Sequence, residues 1–237
     1  MLITPYHIYP CGDHAVTIEL GDGINADINQ KVITLFQYLS ENKIEGVKDL
    51  IPAYNTLTLV YDVFLLKRKA PGISVYETMS SYLQRAAALV REEVIDQPRL
   101  MKIPVCYDPL LAPDIVSLAE THQLTVEEVV TLHTAKIYRV YMIGFLPGFA
   151  YMGSVDEKLV TPRRTQPRTN VPAGSVGIAG EQTGIYPFDS PGGWQLIGQT
   201  PIQMFDAKNA MPCYLHPGDQ VQFHAISITE FKKAKKA

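Results

Sequence analysis

Ile28, Val32, Leu35, Phe36 and Leu39 recur three or four positions apart, the apolar stripe of a helix with one buried face. Asn25 or Asp27 can cap its start, and Gly46 stops it. A second stripe follows Pro71-Gly72: Val75, Met79, Tyr82, Leu83, Ala86 and Val90, with Arg91, Glu92 and Glu93 facing water. The strand signal is period-two alternation. Residues 7–20 show it in part before the Gly21-Asp22-Gly23 turn, and read as one strand or as two broken at Gly12-Asp13. Residues 47–51 and 56–61 are two more strands around a turn at 52–55, the second rich in β-branched residues. The order β-(β)-α-β-β-α predicts an antiparallel sheet with helices on one face, a ferredoxin-like α+β layer over residues 1–97. Gln97-Pro98-Arg99 reads as a linker.

Beyond it, residues 100–106 form a strand candidate, and 114–122 and 126–134 two short helices. Thr125 with Glu128 spells a capping box for the latter. Residues 137–143, β-branched and aromatic, are a strand. From Gly144 to Gly218 glycine and proline punctuate nearly every short strand-like piece, the pattern of a barrel or sandwich over 98–237.

Composition narrows the function classes. The 237 residues are 46% hydrophobic and 19% charged, enough for packed cores and against wholesale disorder. Net charge is −3, without the basic excess of a nucleic-acid binder. The one dense basic cluster, Lys232, Lys233, Lys235 and Lys236, reads as a frayed, solvated tail. Three widely spaced cysteines, Cys11, Cys106 and Cys213, suit neither a disulfide framework nor structural zinc. Without a leader-like N-terminus or an apolar run near the ~18 residues of a membrane span, a cytoplasmic protein away from membranes is expected.

Familiar catalytic motifs are missing: no Walker loop, no HExxH, no GxSxG, and no close histidine spacing for a metal. His14 lacks an identifiable partner as a base, and Cys106 reads as inert core. The chemistry-bearing residues lie instead in loops from 144 to 194. Arg163 and Arg164 can pair with a carboxylate or phosphate. Gln182, Tyr186 and Ser190 can add neutral hydrogen bonds, while Gly192 brings backbone close and Trp194 offers a wall. Phe145, Leu146, Pro147 and Phe149 can form an apolar groove for a partner. For each position alone, a turn, core or surface role is the simpler reading; the cluster points to a ligand site.

Four stretches carry a resemblance: Gly12-Asp13-His14-Ala15, GFLPGFAYMG at 144–153, TPRRTQPRTNVPAGSVGIAGEQTGIYP at 161–187, and SPGGWQLIGQTP at 190–201. On these the chain resembles the family containing the B-type subunit of 5-oxoprolinase, the Kip-type sporulation-kinase inhibitor and allophanate hydrolase subunit 1. The resemblance implies an N-terminal α+β domain, a C-terminal cyclophilin-like β-barrel, and work alongside a sister barrel subunit and a larger third subunit. It implies ATP-driven opening of 5-oxoproline to glutamate, with ATP as co-substrate of the complex, magnesium as its candidate companion ion, and little activity for this chain alone. Arg163 or Arg164 would then hold the carboxylate or a developing phosphate, and Gln182, Tyr186 and Ser190 the lactam edge. Two alternatives come with it: a binding module that inhibits a histidine kinase through its surface, and a subunit acting on another small amide or urea such as allophanate. A purely scaffolding subunit is a third. An exposed groove or sheet edge made for a sister chain implies self-association or low stability in isolation.

Overall fold

The computed structural model describes residues 6–90 and 98–236. The water-facing set Arg91, Glu92 and Glu93, and Gln97 of the linker, lie outside the described residues. The chain divides into two compact units, Met1–Gln97 and Pro98–Ala237.

In the N-terminal unit the partial alternation resolves into two strands, β1 (His7–Pro10) and β2 (Ala15–Glu19), because Gly12 takes φ +66° and turns the chain between them. Helix α1 (Ala26–Glu41) starts where the Asn25 side chain accepts from the Asp27 and Ile28 amides. Strands β3 (Val47–Pro52) and β4 (Thr56–Tyr61) follow, then α2 (Val63–Lys69) and α3 (Val75–Leu89). The pattern reading omits α2, a two-turn helix whose VFLLKRK sequence is too short to show a period; Asp62 caps it through the Leu65 amide.

The sheet runs β1-β2-β4-β3, every pair antiparallel. Val16, Ile18, Leu57 and Leu59 pack with Val32, Leu35 and Leu39 of α1 and with Met79 and Leu83 of α3. A ferredoxin-like chain order would end on a strand placed after the second main helix. Here that edge beside β2 is taken by β1, the hairpin partner preceding it. Thus the mixed α/β layer is observed with a different chain order.

The C-terminal unit contains β5 (Leu100–Val105), α4 (Ile115–Thr121), α5 (Val126–Ala135), β6 (Ile137–Ile143) and β7 (Ala150–Gly153). A single 3₁₀ turn (Glu157–Leu159) precedes β8 (Arg168–Val171), β9 (Ser175–Ala179), β10 (Gln182–Ile185), β11 (Ser190–Gly192), β12 (Gln195–Gln199), β13 (Gln220–Ala225) and α6 (Ile228–Ala234). Seven strands make one sheet, β12-β9-β10-β7-β6-β13-β5, antiparallel except for β13 with β5. The sheet curls until its edges meet: just past β5, Cys106 exchanges both backbone hydrogen bonds with Gln199 of β12, each 2.9 Å. Ile103, Val105, Tyr138, Val140, Met152, Val176, Ile178 and Phe223 fill its interior. Strands β8 and β11 pair apart from it as a ribbon.

The basic tail is not frayed as far as Ala234. Ser227 and Glu230 form a capping box, and Phe231 is buried, so Lys232 and Lys233 ride on a helix anchored by one aromatic residue, with Lys235 and Lys236 just past its end. No described helix is long and apolar enough to cross a membrane.

Candidate functional site

The site is built on β7, β10 and the loops reaching toward the β8–β11 ribbon. The turn before β7 closes on itself: Gly144 N–H donates to the Phe149 carbonyl, and Phe149 N–H to that of Leu146. This turn carries Phe145 with φ +65° and 64% of its surface exposed, while Phe149 is buried. Around Phe149 the rings meet edge to face, with centroids 5.2 Å away for Tyr186, 5.3 Å for Trp194 and 5.8 Å for Phe145. Tyr151 lies 4.7 Å from Phe149 and 5.9 Å from Trp194. Such edge-to-face sets lock ring orientation more firmly than burial alone.

These rings enclose a pocket of about 240 Å³, completed by Arg163, Pro167, Pro191, Gly192 and Gly193. Gly192 is required because a Cβ there would collide with the Tyr186 hydroxyl. Burial raises the Tyr186 pKa, with the backbone N–H of Trp194 and the nearby Arg163 opposing. Tyr151 is likewise raised by burial, with Arg163 again opposing.

Arg163 is exposed and makes no ion pair among the described residues. It also borders a second, shallower cavity of about 370 Å³ lined by Pro162, Arg164, Thr165, Gln166 and Gln195. The two adjacent arginines have separate fates. Arg164 Nη1 is committed to Asp114 Oδ1 at 2.9 Å, and its backbone N–H to Gly193 O at 2.7 Å.

The structure therefore brings Arg163, Tyr186, Gly192 and Trp194 together with Phe145 and Phe149, residues read from sequence as a separate groove. Arg164 serves Asp114 instead. Gln182 begins β10, three residues from Ile185 and thus about 10 Å along the strand from the aromatic end. Ser190 is buried, its Oγ without a hydrogen-bond partner among the described residues, and does not line the pocket. Leu146 packs against the small core of Phe149, Val171 and Leu196, and Pro147 is exposed outside the lining. His14 is exposed in the β1–β2 turn. Cys106 is buried, and burial raises its thiol pKa. Sequence reasoning missed Tyr151, Pro167, Pro191 and Gly193 as lining, although all four lie inside the quoted motifs. It also missed Asp114, whose partners stand fifty or more residues away.

The lining contains no serine, cysteine, histidine or carboxylate. An aromatic slot beside a guanidinium that has no ion pair among the described residues is chemistry for holding a small planar molecule that bears a negative charge. A pocket this small lies below the roughly 300–1,000 Å³ typical of sites for larger ligands.

Residues 6–215 match the family described as carboxyltransferase domain, subdomains C and D, and the chain belongs to that family. Within it, the B-type subunit of the Bacillus subtilis 5-oxoprolinase is 40% identical over 97% of both chains. That of Escherichia coli O157:H7 is 38% identical over 91% of this chain and 94% of the other. The solved protein TTHA0988 superposes with a TM-score of 0.78 at 34% identity, covering 90% of this chain and 40% of that one.

Proposed function

We propose that this chain is the B-type component of an ATP-dependent 5-oxoprolinase, converting 5-oxo-L-proline to L-glutamate together with a sister barrel subunit and a larger third subunit. The observation that carries the reading is the combination of a small aromatic pocket with Arg163, which makes no ion pair among the described residues. The near full-length identity to proteins named as that component supports it. Arg163 holds the substrate carboxylate as a charge-assisted pair, and the aromatic walls take the flat lactam ring. The Tyr186 hydroxyl, whose pKa burial raises, keeps its proton to offer the lactam carbonyl. Holding the ring and its charge fixes which face meets the rest of the complex, a contribution from orientation rather than bond-breaking.

ATP is the co-substrate of this complex. The pocket's size and its lack of acidic side chains do not fit a magnesium–nucleotide, and among the described residues no three His, Cys, Asp or Glu converge on a cation position. No step through ATP is assigned to this chain.

The test is glutamate release from 5-oxoproline and ATP by the three subunits together, each omitted in turn. Turnover only in the full mixture is the expected result. Equal turnover without this chain overturns the proposal.

A further inference from the structure

Asp114 is buried, yet it is ringed by donors from segments that are far from it in sequence. Arg164 Nη1 reaches Oδ1 at 2.9 Å. Arg168 straddles the carboxylate, Nη2 to Oδ1 at 2.7 Å and Nη1 to Oδ2 at 2.9 Å. Leu196 N–H donates to Oδ2 at 2.6 Å, and the Asp114 N–H returns a bond to Leu196 O at 3.0 Å. Although Asp114 stands at the start of α4, its side chain makes no cap bond there. The carboxylate is spent entirely on tying the helix start to the 162–168 segment and to β12.

Those tied segments are the walls of the aromatic pocket. Arg163 and Pro167 flank the two clamped arginines, and Gly193 and Trp194 immediately precede β12. Arg163 is held from both sides. Two residues before it, the Thr161 carbonyl accepts from Gly180 N–H at 2.7 Å, and one residue after it Arg164 is bound through backbone and side chain. Two guanidiniums share one carboxylate here, so the segment keeps net positive charge beside the pocket even when the clamp is closed.

We infer that Asp114 is a positioning residue for the pocket: by clamping Arg164 and Arg168 it holds Arg163 beside Trp194, where that guanidinium meets an anionic ligand. The inference rests on the reading of Arg163 as the ligand's cation. It predicts a response opposite to simple electrostatics. Removing the Asp114 charge adds positive charge locally, which by itself draws anions closer. Releasing the clamp lets Arg163 leave, so that fewer anions are drawn to the pocket.

Trp194 is the only tryptophan in the chain, so its fluorescence reports this pocket without any ligand. Iodide and acrylamide quenching would be measured on the full chain for wild type, Arg163→Gln, Asp114→Asn and Arg168→Lys. Far-UV circular dichroism checks that each is folded. Arg163→Gln should lower iodide quenching about twofold relative to acrylamide, the scale of one partly screened charge near the ring. Asp114→Asn should fall to the same level, and Arg168→Lys, which keeps the charge but loses the fork, part of the way. Iodide quenching unchanged or increased in folded Asp114→Asn overturns the inference. If that variant does not fold, the same criterion applied to Arg168→Lys decides. An Arg163→Gln chain that quenches like wild type also overturns it. Turnover of the reconstituted complex is read separately: a wild-type complex without activity removes the 5-oxoprolinase reading and leaves the quenching result standing.

Discussion

Adjacent residues of like chemistry do different work in this chain. Arg163 and Arg164 are interchangeable by type, but one faces a pocket and the other a buried carboxylate. Arg163→Gln should therefore raise the KM for 5-oxoproline in the complex by about 10- to 100-fold, the worth of one charged hydrogen bond, without changing the melting temperature. Arg164→Gln should lower the melting temperature first, since it strips a partner from buried Asp114. Thermal melts beside steady-state kinetics separate the two. Gly174 is a second constrained residue: its φ is +81°, and a Cβ would strike the Thr200 carbonyl. Gly174→Ala should cost about 1–3 kcal/mol, visible as a melting temperature lower by several degrees.

At the scale of elements, stability comes from local caps and from pairings across the chain. The capping box of α5 has both halves in place, Thr125 Oγ1 accepting from Glu128 N–H at 3.1 Å and Glu128 Oε2 from Thr125 N–H at 2.7 Å. Hydrogen bonds from the Thr125 backbone N–H and the Thr125 hydroxyl hold the Glu128 carboxyl below its usual pKa. Thr125→Ala should destabilise the chain by about 1 kcal/mol in chemical unfolding. This box was readable because its partners are three residues apart, as were the amphipathic faces of α1 and α3. The short helices α2 and α6 were not: two turns give too few repeats, and unlike α4, which was read from sequence at the same length, α6 lies in a lysine-rich tail and α2 between a strand and the Pro71-Gly72 break. Nor was the parallel pairing of β13 with β5, where Gln220 stands opposite Leu100. No local signal links positions so far apart.

For the molecule as a whole, the interior of the large sheet holds one polar device. His133 is fully buried and stacks on Phe223 with 4.6 Å between ring centres. Thr183 donates to the Gly177 carbonyl at 3.1 Å, so it accepts from His133 Nε2–H at 3.0 Å, and Nδ1 accepts from the Tyr107 hydroxyl at 2.7 Å. Burial lowers the His133 pKa to about 3, from 6.5 when exposed. The unfolded chain thus takes up a proton below pH 6.5 that the folded chain refuses until about pH 3. This contribution to stability is complete above pH 6.5 and lost as pH falls toward 3, with a slope approaching about 1.4 kcal/mol per pH unit. Chemical unfolding of wild type and His133→Gln from pH 7 to pH 4 should show the variant's dependence flattened; parallel curves would refute the assignment. Sequence alone determined the α/β composition of the first unit, the strand-rich second unit, the local caps, and the loops that supply the candidate pocket, because these depend on residues within a few positions of each other. Tertiary packing set β1 at the sheet edge, and it brought Phe145 and Phe149 of the supposed partner groove into one pocket with Arg163, Tyr186, Gly192 and Trp194. It likewise decided that Arg164 would be consumed by Asp114 while Arg163 makes no ion pair among the described residues. Each of these turns on which segments meet in space, and that is settled by packing in three dimensions rather than by spacing along the chain.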